Sequence, residues 1–280
     1  MGDATATTGL PEGQAPDTAQ RSRRLAPATW PYGLLGLLVF AAVLEVVPRL
    51  GLVPERYLPP MSRIVAALAE EAASPALWTA VGETMKAWAI GLAIAVAAAV
   101  LVGVIIGSVP FLLAATSSTI EFLRPIPSVA LIPLAVLMYG TGIESTLMLV
   151  IYASFWQVLI QVLYGVQDVD PVAMDTARSY RLGRFGRIRH VTWPTALPYI
   201  VTGVRLAAAV ALVLAISGEL IIGSPGLGHE ISQAQSGGAV AVMYALVVVT
   251  GLIGVLINLV FRMVERRLLA WHTSVRGEAV

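Results

Sequence analysis

The sequence predicts an all-α membrane protein with six transmembrane helices and both termini in the cytoplasm. Three observations carry this expectation. Hydrophobic residues make up 57% of the 280-residue chain and charged residues only 12%, and mean hydropathy is +0.80. Several apolar runs reach the roughly 20 residues that a helix needs to cross a hydrocarbon core about 30 Å thick. The arginines fall on alternate connections, as the positive-inside rule requires. With the N-terminus inside, Arg21, Arg23, Arg24, Arg124, Arg178, Arg181, Arg184, Arg187, Arg189, Arg262, Arg266, Arg267 and Arg276 are cytoplasmic. Only Arg49, Arg56 and Arg63, with Lys86 at a span edge, lie on the outer side.

The elements follow in order. Residues 1–29, rich in Ala, Thr, Pro and Gly, show no apolar face and read as a disordered tail. A signal peptide is the competing reading, since a basic cluster precedes an apolar run, but no A-x-A-like site follows that run. Residues 30–79 hold a first span (about 31–50) and an outer segment whose "MSRIVAALAEEAA" is amphipathic. A core over 80–265 holds spans at about 84–107, 125–140, 143–166, 195–222 and 240–264. A connector with a short helix is expected at 108–124, and a Gly-rich turn region lies between the last two spans. Residues 266–280 form a basic cytoplasmic tail.

Several chemistries are excluded. The chain has no cysteine, so it has neither disulfides nor thiolate metal sites. Its single lysine, Lys86, lacks the glycine-rich context of a nucleotide phosphate loop. His190, His229 and His272 are scattered, and neither H-E-x-x-H nor G-x-S-x-G occurs. No metal site and no catalytic residue is expected.

The segment 167–194 interrupts this oily chain with five arginines in twelve residues. Asp170 suits an N-cap and Pro171 the first helical turn. Gly183 can end that helix, and a second short helix runs to Pro194, which blocks continuation. Local chemistry leaves two readings open. The arginines anchor the loop at lipid headgroups, or the short helix inserts into a groove on a cytosolic partner.

The segment resembles the coupling loop of ABC importer permeases, whose pattern is E-A-A-x-x-x-G followed by I-x-L-P. Asp175-Thr176-Ala177 stands at the first motif and Val191-Thr192-Trp193-Pro194 at the second. "LRPIPSVALIPLAVLMYGTGIE" (Leu123–Glu144) and "PTALPYIVTGVR" resemble the nitrate/sulfonate/taurine-type members. The resemblance spans about residues 80–265. It implies the type I ABC importer permease fold and the permease subunit of a primary importer in the bacterial inner membrane. The solute would be small and polar or anionic, such as a sulfonate, taurine or nitrate. It also implies that ATP and Mg are bound by a separate cytosolic ATPase dimer and not by this chain. An extracytoplasmic substrate-binding protein and a second copy of the permease are the other implied partners; nucleic acid is not one. Asp175, Ala177, Arg178, Tyr180, Arg181 and Gly183 are the implied docking residues. One departure stands out: Arg181 occupies the position of the pattern's glycine, with Gly183 two residues later. The alternative, a stand-alone secondary transporter or channel, expects coupling-ion ligands in the spans and internal repeats, and neither is visible.

Ionisable residues within spans mark function or structural pairing. Glu45, Arg205 and Glu219 are the candidates. Arg205 and Glu219 are fourteen residues apart, close to four turns, and so share a side of the fifth span; pathway, gating and structural pairing all remain open for them. Trp156, Gln157 and Gln161 form a polar-aromatic patch on the fourth span, suited to a polar solute or to a neighbouring helix. "GVIIG" (Gly103–Gly107) is a close-approach motif. "SPGLG" (Ser224–Gly228) supplies turns for an outer lip or a re-entrant connection.

Overall fold

The computed structural model describes residues 30–270 and contains only helices and turns there. The two expected tails, with His272 and Arg276, lie outside the described residues in whole or in part. The chain divides into two units, Met1–Val43 and Leu44–Val280. The helix α1 (Trp30–Arg49) carries the boundary; everything below concerns the second unit.

The outer segment forms α2 (Met61–Ala73), which buries Ile64 and Ala67 on one face. The Glu45 carboxylate accepts from Ser62 N at 2.8 Å and Ser62 Oγ at 3.0 Å. An anion thus meets free N–H groups at a helix start, where the dipole favours it. Ser74 caps α3 (Pro75–Ser108) by accepting from Ala76 N, and Pro75 fills its first turn. This helix begins nine residues before the predicted span.

The stretch predicted as a connector and a third span folds differently. It makes α4 (Pro110–Leu123), a break, a 3-10 turn (Ser128–Leu131) and the eight-residue α5 (Ile132–Tyr139). The two arms meet at 82°. Pro125 and Pro127 explain the break, since neither donates a backbone bond and each disfavours helix in the residue before it. At about 1.5 Å per residue, α5 alone is too short to cross a bilayer.

Next come α6 (Ile143–Gln167) and the loop helices α7 (Pro171–Ser179) and α8 (Arg184–Arg187). A π-turn (Ile188–Thr192) then leads into α9 (Trp193–Ile222) without interruption. Pro194 therefore does not end the second loop helix as expected. Trp193 N donates to Ile188 O, five residues back. This wider turn shifts the bonding register just where Pro194 lacks a donor. The Gly-rich region contains a further helix, α10 (Leu227–Ser236), before α11 (Val240–Leu268).

Among the described residues, four helical stretches are long and apolar enough to cross a membrane: α3, α6, Arg184–Ile222 and α11; the bent α4–α5 pair makes a fifth by the same measure. The central helix is α6, packed against both α3 and α9. In lipid the apolar effect does not drive helices together, so close packing of small residues must do so. On α3, Gly91, Ala95, Ala99, Gly103 and Gly107 recur every fourth residue, and both alanines are fully buried. Gly91, Gly103 and Gly107 lie against Val150, Val162 and Val166 of α6. The residue-number offset is the same in all three pairs, so the two helices run parallel. The chain between them must therefore return to its starting side, and the bent α4–α5 pair is the returning element. Against α9 the pairing runs the other way: Gly165 meets Ala196, Gly203 meets Gln161 and Gly218 meets Thr146. α6 and α9 are antiparallel.

Candidate functional site

Three places gather the polar residues of this chain. The first is the loop between α6 and α9. Asp170 Oδ1 accepts from Val172 N at 2.8 Å and caps α7. The helix closes with two bonds, Leu182 N to Ala177 O at 3.0 Å and Arg181 N to Arg178 O at 2.8 Å. That pair is a Schellman turn, which needs a left-handed residue between its donors. Arg181 is that residue, at φ 55°, and no other described non-glycine residue has a positive φ. Gly183, at φ −62°, starts α8. The turn has therefore not moved to Gly183, the residue expected to end the helix. It stays where the E-A-A-x-x-x-G pattern has glycine, with a side chain forced into the conformation. The two capping bonds close α7 at this point with Arg181 as the left-handed residue. Arg181→Gly is expected to stabilise the loop by about 1 kcal/mol, seen as slower amide hydrogen exchange over residues 171–182.

Around this frame the loop residues part company. Ala177 is buried, holding α7 down. Asp175 pairs with Arg178 at 2.8 Å on the open surface, a contact of small energetic weight. Tyr180 and Phe185 are 79% and 76% exposed, and Val172 is 71% exposed. Three large apolar side chains thus stand out from an arginine-rich loop. Phe185 and Val172 had no place in the sequence reading; an aromatic residue within a basic loop was the available signal.

The second place is the end of α9. Glu219 is fully buried. Its Oε2 accepts from Thr84 Oγ1 of α3 at 2.8 Å and from Gly228 N of α10 at 3.0 Å. Thr84 Oγ1 in turn accepts from Leu227 N at 2.9 Å. The first turn of α10 is thus tied to both α3 and α9, and "SPGLG" is the corner that lets it dock. Arg205 faces elsewhere and pairs with Glu265 of α11 at 2.8 Å. Although the two share a side of α9 by turn count, they serve different neighbours.

The third place is a cavity of about 410 Å³ between the α4–α5 break and the central turns of α6 and α9. Glu121, Arg124, Ser128, Trp156 and Gln157 line it. Tyr152 Oη donates to Leu123 O at 2.8 Å and pins the break to α6. Edge contacts to Phe155 and Tyr152, with centroids 5.2 and 5.9 Å away, fix the Trp156 ring. Trp156 Nε1 is buried with no acceptor among the described residues. Gln161 does not join Gln157 here, because it packs on Gly203 of α9. Among the described residues, no group of three acidic, histidine or cysteine side chains could hold a metal ion.

Residues 95–270 match the family described as "Binding-protein-dependent transport system inner membrane component". The chain belongs to this family. The permease is 31% identical over 245 residues to the taurine transport system permease protein TauC of Escherichia coli (strain K12), covering 86% of this chain and 89% of that one. It is 27% identical over 269 residues to the putative aliphatic sulfonates transport permease protein SsuC of Bacillus subtilis (strain 168), covering 95% and 98%. Among solved structures, an inward-facing MetNI methionine ABC transporter chain superposes with a TM-score of 0.60 at 19% identity, over 70% of this permease and 98% of that chain; at that identity the likeness concerns the fold alone. The permease is a subunit of an ABC importer, a transport component of the inner membrane and not an enzyme. Membership implies two kinds of partner, an ATPase and a substrate-binding protein.

Proposed function

We propose that this permease forms the translocation pathway for a small polar or anionic solute, a sulfonate, taurine, nitrate or similar, and that residues 167–194 are the handle gripped by a separate cytosolic ATPase. The chain crosses the bacterial inner membrane six times, with α1 as first span and both termini cytoplasmic. It works as a homodimer beneath an extracytoplasmic binding protein, and ATP and Mg sit on the ATPase dimer. Arg205 and Glu219 serve structure and gating, and Trp156 and Gln157 face the pathway. The observation that carries the docking role is the loop's build. A capped, Schellman-closed helix presents Tyr180, Phe185 and Val172 outward. A helix so fixed transmits force, and exposed aromatic side chains are the usual anchors of an interface.

The test is co-purification of the permease with its ATPase. Tyr180→Ala with Phe185→Ala is expected to weaken that complex by at least about tenfold, and Asp175→Lys less so. A loop that only anchors to lipid would leave the complex intact in detergent. Solute flux through the purified permease without any ATPase would overturn the reading.

A further inference from the structure

A second cavity, of about 690 Å³, lies at the loop end of the bundle, where α3 stops, α4 starts and α7 and α8 fold across. Its wall is of two kinds. Val104 and Ile105 of α3 and Val166 of α6 are apolar residues of membrane-crossing helices. Arg178, Arg184 and Arg187 come from the loop, and no acidic side chain lines the cavity. Arg178 is held by Asp175, but Arg184 and Arg187 form no ion pair among the described residues. Spaced three apart on α8, these two share a side. The exposed Tyr180, Phe185 and Val172 lie outside the cavity wall, so the loop puts its apolar anchors and this arginine pair to different uses.

The apolar part of the wall continues along α3. Ile90, Ile94, Leu101 and Ile105 are all exposed, and their spacing of four, seven and four residues sets them on one side of the helix. On a membrane-crossing helix such a stripe meets acyl chains. Its fifteen residues rise about 22 Å, more than the roughly 15 Å of hydrocarbon in one leaflet. Ile105 belongs to both stripe and cavity, so the chain-facing surface leads directly to the arginines.

A free phosphate would use the guanidinium groups and gain nothing from the stripe. A neutral lipid would use the stripe and gain nothing from the arginines. We propose that this cavity seats an anionic phospholipid, its phosphate on Arg184 and Arg187 and one acyl chain along Ile105, Leu101 and Ile94. The arginines are exposed or half-buried, as a headgroup site at the water boundary requires, with their stems free to lie along apolar surface. The start of α4 borders the cavity with no acidic residue in its first turn, so its dipole adds to the positive field. A lipid so placed touches both α3 and the loop helices. The site goes beyond the transport reading and does not depend on it.

The test titrates thermal stabilisation of the full-length permease in neutral detergent with phosphatidylglycerol, phosphatidylcholine and glycerol 3-phosphate. No ATPase is present, so the outcome is separate from that of the coupling reading. Wild type is expected to respond to phosphatidylglycerol at concentrations at least about tenfold below those of phosphatidylcholine, and not to respond to glycerol 3-phosphate. Arg184→Gln and Arg187→Gln are each expected to raise the phosphatidylglycerol concentration about fivefold and to leave phosphatidylcholine unchanged. Arg189→Gln removes the same charge from the same loop, but Arg189 does not line the cavity; its response is expected to match wild type. Should a glutamine variant not fold, native mass spectrometry of wild type decides, with phosphatidylglycerol expected to be retained over phosphatidylcholine. Equal response to or retention of the two lipids, or a response to glycerol 3-phosphate equal to that for phosphatidylglycerol, would overturn the proposal. So would a loss in Arg189→Gln as large as in Arg187→Gln, which would mean a diffuse positive field in place of a site.

Discussion

Gly226→Ala is expected to unseat α10 and to destabilise the permease by roughly 3 kcal/mol or more. Two causes add. Gly226 sits at φ 150° and ψ −177°, a region essentially closed to residues with a side chain. A Cβ there would also fall within the Glu219 carboxylate, which is buried and held by Thr84 and Gly228. The neighbour cannot yield without releasing both bonds. Thermal melting of the purified complex and amide exchange across residues 224–236 measure the effect. Glu219→Ala is expected to reproduce part of it, about 2 kcal/mol, by stranding the Thr84 hydroxyl and the Gly228 N–H in the interior. Glu219→Gln keeps an oxygen acceptor and should lose far less. A Gly226→Ala protein that melts like wild type would show that the corner is not built around Glu219.

Gly103→Ala is expected to pry α3 from α6 at a cost of about 1–3 kcal/mol. A Cβ at Gly103 would lie 2.7 Å from Val162 Cγ1 and 2.9 Å from Val162 Cβ. Val162 is fully buried, and a β-branched side chain in a helix has one favoured rotamer, so it cannot swing aside. The helices must separate, and in lipid nothing but contact holds them. Val162→Ala in the same chain should recover part of the loss, because it removes the Cγ1 contact but keeps the Cβ at 2.9 Å; alone it leaves a void. That sign reversal in a double-mutant cycle is the diagnostic, read from the melting temperature of the detergent-solubilised complex. Independent, additive losses would mean that the two residues do not touch.

Much of the loop between α6 and α9 was legible beforehand because its signals are local. Asp170 and Pro171 mark a helix start wherever they occur, and the structure has that cap. Where α7 ends was less legible. Sequence favoured Gly183, since glycine is the residue that takes a left-handed turn without strain. The fold instead imposes the turn on Arg181. The α4–α5 bend and Pro194 were misread for a related reason. Pro194 was taken as a helix end, but a π-turn carries the chain through there; Pro125 and Pro127 were placed at the start of a continuous span, and they make a corner instead. α10 was missed because ten residues of "LGHEISQAQS" have little apolar periodicity of their own. They form a helix with Leu227 and Ile231 buried beside α3 and α11.

Composition, run length and arginine placement by themselves determined that this is a helical membrane chain, and motif order determined its kin. Those properties are sums over residues or local patterns, so no contacts are needed to read them. Only the tertiary structure decided which polar residues act together. Glu219 went to a buried corner, Arg205 to Glu265, and Gln161 to a glycine on α9. Trp156 and Gln157 came to share a cavity with Glu121 and Arg124, more than thirty residues earlier. Helical periodicity fixes the side of a helix on which a residue lies. It does not say which helix is packed there, because that follows from where small residues let backbones approach.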